Sequence, residues 1–276
     1  MPMASGRPTR IAFAGLVLCL VAATAAAQFG RRGFGGFRAQ VASAGDFDGR
    51  FHFCRLVYQP ALDGDGGNWN ADWPRADINL SIRLSELTKT TISKDATGQP
   101  NHLLVRLSDP QLFDCPFLAA TEVGRAFISD EDAKTLRLYL EKGGFLWADD
   151  FWGSYAWDHW MAQLRKALPA SEFPIADLPL EHPLLHQQFE IKEVPQIPNI
   201  GFYLGTGTTS ERGADSAVPH LRGVTDAHGR MVVLMTHNTD LGDAFEREGD
   251  SPEYFAAMGP KGYALGINIL IYALSH

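Results

Sequence analysis

The chain has 276 residues, with 32 acidic and 24 basic side chains and a formal net charge of −8. This balance argues against nucleic acid or an anionic lipid surface as the main partner, because both attract basic proteins. About 225 residues follow the N-terminal region described next, which is enough for one domain with a substantial core.

Residues 1–27 have the pattern of a secretory signal peptide. Two arginines precede an apolar run over residues 11–23, and alanines 25–27 supply the small residues of a cleavage site. The apolar run is shorter than the roughly 20 residues that span a bilayer. We therefore predict cleavage after Ala27 and a periplasmic or secreted domain. The alternative, an uncleaved anchor, would be the chain's only means of membrane association.

Residues 28–49 contain glycines interleaved with arginine and phenylalanine. Such a tract cannot bury enough apolar surface to offset chain entropy, so it is predicted to be a flexible linker. It leads into a single predicted α/β domain over residues 50–276. The basic residues of the linker could alternatively contact a membrane or a cell-wall polymer.

Two cysteines, Cys54 and Cys115, lie within the predicted domain. They could pair in an oxidising compartment. Because both lie in or beside apolar segments typical of strands, buried free thiols are the favoured interpretation. No second cysteine or histidine lies at the short spacing of a structural zinc site, so none is predicted.

From residue 51 onward, short apolar runs alternate with segments of helical period. The clearest helix is 129–142, because Ser129 and Asp132 can cap it reciprocally and two glycines terminate it. Strands that are apolar on both faces and separated by helices predict a mainly parallel sheet covered on both sides. The predicted strands are 51–58, 102–107, 116–121, 145–149 and 231–236, and the predicted helices are 74–89, 129–142, 154–168 and 263–274. Residues 171–230, rich in proline and glycine, are predicted to wrap the sheet edge or to form a cleft wall.

Polar side chains follow three of the predicted strands, at the edge where ligands bind in open parallel sheets. Adjacent carboxylates raise one another's proton affinity, so Asp149 and Asp150 suit acid–base chemistry or a metal. The catalytic candidates are Asp149, Asp150 and His237. The predicted binding rim consists of Glu122, Asp149, Asp150, Trp152, His237, Asn238 and Asp240.

Each of these residue types also has a structural interpretation. Asp149 or Asp150 could cap the following helix, since aspartate favours that position. His237 could be a half-buried structural histidine. Trp152 and the other tryptophans could belong to the core, or could form a stacking platform for sugar rings.

His182 and His186 are spaced four residues apart, as in metal-binding helices. Pro183 allows this only if a helix begins there, and the glutamate of the metalloprotease motif is missing. A turn with satisfied hydrogen bonds is therefore favoured. No metal site and no cofactor are predicted, and His182 and His186 remain candidates for a metal ligand pair.

Seven segments in the same order resemble one family between residues 50 and 275. They read FCRLVYQ, NWNADWPRA, DPQLFDCPFL, LEKGGFLWADDFWGS, LPLEHPLLH, THNTDLGDAFE and YALGINILIYAL. Together they resemble the bacterial domain-of-unknown-function family numbered 4159. The resemblance implies a flavodoxin-like three-layer α/β sandwich of the class I glutamine amidotransferase-like superfamily.

The same resemblance speaks against the superfamily's reaction. The glycine pair before the nucleophile strand matches Gly143 and Gly144, so the nucleophile cysteine falls at about Asp150. His237 follows a comparable strand, but Thr239 occupies the position of the partner glutamate. The resemblance therefore implies that the chain is not a functional glutamine amidotransferase.

These observations favour a non-catalytic binding or assembly module of the bacterial cell envelope. Its partner would be an envelope protein, a glycan or a peptide, held at the predicted rim. The alternative is a carboxylate- or metal-assisted hydrolase that acts on a cell-envelope glycan or peptide.

Overall fold

The computed structural model describes residues 39–276, and its compact unit spans Val41–His276. In this described part, the strands are β1 (Phe53–Leu56), β2 (Gln59–Pro60), β3 (His102–Val105), β4 (Phe117–Thr121), β5 (Ala126–Phe127), β6 (Phe145–Phe151), β7 (Ile175–Asp177), β8 (His220–Thr225) and β9 (Met231–His237). Seven of them form one sheet in the order β3-β1-β4-β6-β9-β8-β7, and β2 pairs with β5 separately. Strands β3, β1, β4, β6 and β9 pair in parallel, whereas β8 is antiparallel to both of its neighbours, β9 and β7.

Helices cover both faces of the sheet. The helices are α1 (Arg75–Leu87), α2 (Asp130–Glu141), α3 (Gly153–Ala167), α4 (Ile200–Thr206), α5 (Leu241–Glu246) and α6 (Pro252–Ser275). Side chains alternate along a strand, so β6 sends Leu146 and Ala148 towards α2 and α3 and Trp147 towards α1, α5 and α6. The predicted mainly parallel three-layer α/β sandwich is confirmed.

Local signals explain where the helices begin and end. Ser129 and Asp132 form the predicted reciprocal cap of α2, and Gly143 follows its end with a φ of 104°. The last helix is longer than predicted, because it begins at Pro252 behind the Ser251 cap. Pro260 lies inside this helix at an exposed position, although an internal proline normally indicates a break.

Cys54 and Cys115 are joined by a disulfide bond, so the interpretation as free thiols is wrong. Cys54 lies in β1 and Cys115 comes just before β4, and these two strands are neighbours in the sheet. Burial in apolar surroundings is equally compatible with a thiol and a disulfide. The decisive fact is strand order, which the sequence pattern does not reveal.

The N-terminal predictions fall largely on residues that the structure does not describe. The predicted signal peptide, residues 1–27, and the predicted linker up to residue 38 lie outside the described residues. Within the rest of the predicted linker, Val41 forms a parallel bridge with Leu104, and Ala42 is buried. Among the described residues, no helix combines the length and the apolar character that crossing a membrane requires.

Candidate functional site

Left-handed backbone is concentrated at the carboxyl edge, where β1, β4, β6 and β9 end. Among the described residues, the non-glycine residues with positive φ are Asp72, Glu122, Asp150 and Asn238, at 53–61°. Glu122 follows β4, Asp150 is the next-to-last residue of β6, and Asn238 follows β9. Such conformations are uncommon without glycine and concentrate at functional sites. At Asp150 this backbone coincides with a shift of register between β6 and β9.

Six carboxylates gather at this edge and form what we call the acidic cluster. Each of them interacts with at least one other member, either through its charge or through a hydrogen bond. They are Asp72, Glu122, Asp149, Asp150, Asp240 and Asp243. The structure therefore brings together four of the predicted rim residues, Glu122, Asp149, Asp150 and Asp240, with two aspartates that were not in the predicted rim.

Asp149 points to the α1/α5/α6 face of the sheet and is buried. It accepts a hydrogen bond from the Thr236 hydroxyl and one from the backbone N–H of Gly242, at 3.1 Å. Burial raises the pKa of Asp149 to about 6. The Asp149 carboxylate therefore does bind the start of a helix. The helix is α5, however, and not α3, which follows Asp149 in the sequence.

Asp150 faces a second carboxylate instead of solvent. Its Oδ1 accepts a hydrogen bond from the indole N–H of Trp152 at 3.0 Å. Burial, followed by the charges of Glu122 and Asp72, raises the pKa of Asp150 well above its ordinary value. Burial also raises the pKa of Glu122 to about 7. Trp152 is itself buried, so it supports Asp150 and does not form an open stacking surface.

Of the remaining three aspartates, Asp72 lies in the loop before α1, and Asp240 and Asp243 lie at the start of α5. Asp240 caps α5 by accepting a hydrogen bond from the Asp243 N–H at 2.8 Å. Burial, followed by the charges of Asp150 and Asp72, raises the pKa of Asp240. One oxygen from each of Asp72, Asp240 and Asp243 lies within 4.8 Å of the other two. Oδ2 of Asp72 is buried and has no hydrogen-bond partner.

Arg55 is the buried cation next to the acidic cluster. It lies on β1, and its Nε donates to both carboxylate oxygens of Asp77 at 3.1 and 3.0 Å. Its Nη1 donates to the carbonyls of Trp69 and Ala71, at 3.2 and 3.0 Å. Arg55 therefore holds the loop that carries Asp72, while its own charge is largely balanced by Asp77.

His237 lies on the opposite face of the sheet from Asp149, because it is one residue past Thr236. Its Nε2–H donates to the Gly153 carbonyl at 3.0 Å, and its Nδ1 accepts from Arg222 at 3.1 Å. Its ring stacks on Phe151, with centroids 4.8 Å apart. Both ring nitrogens are used by the fold, so His237 holds the turn into α3 and does not join the acidic cluster.

Asn238 has the same kind of role as His237. Its side-chain oxygen accepts from the Gly153 N–H at 2.8 Å, and its amide donates to the Val218 carbonyl at 2.8 Å. These bonds fix the start of α3 and anchor the segment that precedes β8.

The model of the protein family described as Domain of unknown function (DUF4159) matches residues 52–274. The chain belongs to this family. A comparison with curated proteins finds no match. The resemblance in sequence motifs is thereby confirmed at the level of the family, and the DUF4159 match contains both the acidic cluster and His237.

The histidine pair lies at the other edge of the DUF4159 domain. Pro183–His186 is a short 3-10 helix, and His182 accepts a hydrogen bond from the Leu184 N–H. The His182 ring contacts Tyr272, which packs on Phe145, the first residue of β6. Asp150 comes five positions after Phe145 along β6, so the two residues are about 16 Å apart at roughly 3.3 Å per residue. His182 and His186 therefore cannot share a metal ion with Asp150.

Residues 196–216 cover the carboxyl edge. Gln196 donates to the carbonyls of Ser216 and Asn238, at 2.7 and 3.1 Å. The backbone N–H of Ile200 donates to Asp243 at 2.6 Å. This segment thus covers part of the acidic cluster of the DUF4159 domain.

The pH dependence of stability should report the buried state of His237. Burial, followed by the Arg222 charge, lowers its pKa to about 4 from an ordinary value of 6.5. The folded state therefore resists protonation of His237. The contribution of neutral His237 to the stability of the fold is complete above pH 6.5 and is lost as the pH falls towards 4. We expect a loss of about 3 kcal/mol over this range from His237 alone.

This expectation is tested by urea unfolding of wild type and His237→Gln at several pH values. Glutamine can keep the donor to Gly153 but does not titrate, so the difference in stability between the two proteins should shrink with acidification. A difference that is independent of pH would show that His237 is not held neutral. Other titrating groups cancel in the comparison.

Sequence reasoning missed Asp72, Arg55 and Thr121. A signal was present for Arg55, because a charged residue inside an apolar strand needs a buried partner of opposite charge. The two-residue period of strands also places Arg55, Thr121 and Asp149 on one face. No comparable signal exists for Asp72, which depends on the path of a loop.

Proposed function

We propose that the chain is a non-catalytic binding or assembly module of the bacterial cell envelope, and that its partner is a protein or peptide. The observation that carries the proposal is the state of Asp150, which the sequence resemblance aligns with the nucleophile of the class I glutamine amidotransferase-like superfamily. Its carboxylate is buried, bonded to Trp152 and faces Glu122. A raised pKa favours the protonated acid, which is a poor nucleophile, and among the described residues no histidine contacts Asp150 to act as a base.

Export of the chain is supported by two independent features. The first 27 residues have the pattern of a cleaved signal, and Cys54 and Cys115 form a disulfide. Disulfides persist in the periplasm and outside the cell but are rare in the cytosol. Localisation of the mature chain in the periplasm or medium is therefore part of the proposal.

Exposed apolar side chains near the carboxyl edge support a contact with a partner. Leu62 is fully exposed, and Tyr155, in the first turn of α3, is 60% exposed. The two lie side by side, because the Tyr155 hydroxyl donates to the carbonyl of Asp63 at 2.6 Å. Such residues are typical of protein interfaces. The tryptophans are mainly buried, which gives less support to a glycan as partner.

The proposal predicts saturable binding of the mature chain to isolated cell envelopes. We expect the double variant Leu62→Ser, Tyr155→Ser to weaken this binding by about tenfold or more, since exposed apolar anchors dominate such contacts. Leu138→Ser is the matched control, because Leu138 is similarly exposed but lies on α2, away from Leu62 and Tyr155. Its binding should equal that of the wild type.

Two results would overturn this function. One is the absence of saturable binding, or binding that the double variant and the control lose equally. The other is release of soluble glycan or peptide fragments from the envelopes by wild type but not by Asp150→Asn. That result would establish the alternative, a carboxylate- or metal-assisted hydrolase.

A further inference from the structure

The acidic cluster contains a set of oxygen atoms with the spacing of a cation site. One oxygen each from Asp72, Asp240 and Asp243 lies within 4.8 Å of the others, and Asp240 and Asp243 are buried. Calcium binds oxygens at about 2.3–2.6 Å, so ligands on opposite sides of the ion are about 4.6–5.2 Å apart. The three carboxylates therefore do not have to move far to enclose one ion.

Two buried oxygen atoms without hydrogen-bond partners support the same site, and one of them lies outside the three aspartates. Thr121 is only 5% exposed, and its hydroxyl oxygen has no hydrogen-bond partner. Oδ2 of Asp72 is likewise buried and without a partner. Both residues line one cavity of about 20 Å³, together with Asp149. Buried polar atoms in folded proteins are nearly always paired, so this cavity is suited to an occupant that coordinates oxygen.

The size of the cavity limits the occupant to a single ion or water molecule. A volume of about 20 Å³ exceeds the roughly 10–15 Å³ that one water needs but is far below that of an organic ligand. Gly242 borders the same space, and a Cβ atom at this position would overlap Oδ2 of Asp72. The absence of a side chain at residue 242 keeps the space open.

The charge around the cavity favours a cation. The carboxylates of Asp72, Asp77 and Asp149 line it, and Asp240 and Asp243 lie close to Asp72. The Arg55 guanidinium, which also lines it, is bound to Asp77. Arg247 pairs with one oxygen of Asp243 at 3.3 Å, and Ile200 N–H donates to the other. Each carboxylate oxygen has a further lone pair available for an ion. Ligand atoms that are all oxygen favour Ca²⁺ or Mg²⁺ over zinc or copper.

We propose that the DUF4159 domain binds one Ca²⁺ through Asp72, Asp240 and Asp243, with the Thr121 hydroxyl and Asp149 completing the oxygen environment through the cavity. The ion bridges the loop before α1 to the start of α5, and so ties together two elements on one face of the sheet. This site is independent of the proposed partner binding, because it can be measured on the isolated chain.

The test is calorimetric titration of CaCl₂ into the chelator-treated mature chain, with thermal unfolding measured in parallel. We expect one ion per chain with a dissociation constant of about 1 mM or tighter, as in extracellular calcium modules, and a rise of the unfolding temperature with CaCl₂. Asp72→Asn and Asp240→Asn should each weaken the binding at least about tenfold, since each removes one charged ligand. Asp158→Asn, at an exposed carboxylate on α3, is the matched control and should bind like the wild type.

Three results would overturn the calcium site. One is no heat and no thermal shift on addition of CaCl₂ up to about 10 mM, well above the affinity of weak calcium modules. The second is an equal shift with NaCl at the same ionic strength, which would indicate charge screening alone. The third is binding that both Asp72→Asn and Asp240→Asn retain. If a variant does not fold, the wild-type titration still decides the first two outcomes.

Discussion

Replacement of Arg55 by methionine should lower the free energy of unfolding by about 3–5 kcal/mol, the usual effect of breaking a buried ion pair. Arg55 is 4% exposed and Asp77 is completely buried. Methionine fills a similar volume but leaves the Asp77 carboxylate without its positive partner. It also removes the donors to the Trp69 and Ala71 carbonyls, so the loop that carries Asp72 loses its anchor.

Urea unfolding of the wild type and Arg55→Met measures this effect. The matched control is Arg83→Met, because Arg83 pairs with Glu86 and Glu248 while its side chain remains 35% exposed. Exposed pairs contribute about 0–1 kcal/mol, so this variant should lose little. A loss below about 1 kcal/mol for Arg55→Met would contradict the importance of the buried pair.

A second variant separates the ion pair from general packing. Arg55→Met combined with Asp77→Leu replaces both buried charges by apolar groups, which removes the uncompensated carboxylate. This double variant should therefore be more stable than Arg55→Met alone. If it is equally unstable, the loss in the single variant comes from the loop carbonyls, and not from Asp77.

The layered fold was predictable because local signals agree with the global structure. The α2 helix shows this, since its Ser129–Asp132 cap and its terminal glycine are local features of the sequence. The apolar strands around Leu146 and Val233 likewise indicate burial on both faces. In contrast, β7 and β8 were missed, because they lie in a segment rich in glycine and proline and extend the parallel sheet beyond β9 by antiparallel pairing.

The site was predictable only in part, and the two-residue period of strands explains which part. Carboxylates at the ends of neighbouring parallel strands do converge at one edge, as Asp150 and Glu122 show. His237 follows a strand too, but it points to the opposite face and stacks on Phe151. Successive residues of β9 point to opposite faces of the sheet, so the sequence alone could have placed His237 on the face away from Thr236. The Thr236 hydroxyl does reach Asp149.

Other features of the site depend on tertiary contacts that no local pattern encodes. The left-handed backbone of Asp72 and Asp150 is strained for residues other than glycine, so it must be imposed by surrounding structure. The cover formed by residues 196–216 has little regular structure apart from α4. Its hydrogen bonds to Asn238 and Asp243 place it over part of the predicted binding rim.

Removal of the disulfide by Cys54→Ala with Cys115→Ala should cost about 4 kcal/mol of stability. The bond links residues 61 positions apart, so in the unfolded chain it closes a long loop and lowers the conformational entropy. Both cysteines are buried, and a small cavity should add to the loss. The folded sheet should survive, because β1 keeps its backbone pairing with β3 and β4.

Urea unfolding with and without a reductant tests this prediction and supplies its own control. The wild type should lose stability when dithiothreitol is added, whereas the double alanine variant should not respond. The variant should also show a steeper dependence on urea, since its unfolded chain exposes more surface without the cross-link. Equal midpoints and slopes for the oxidised wild type and the variant would mean that the disulfide does not stabilise the fold. A response of the wild type alone would attribute the stability to the bond that joins β1 to the start of β4, and would support an oxidising compartment as the place where this domain folds.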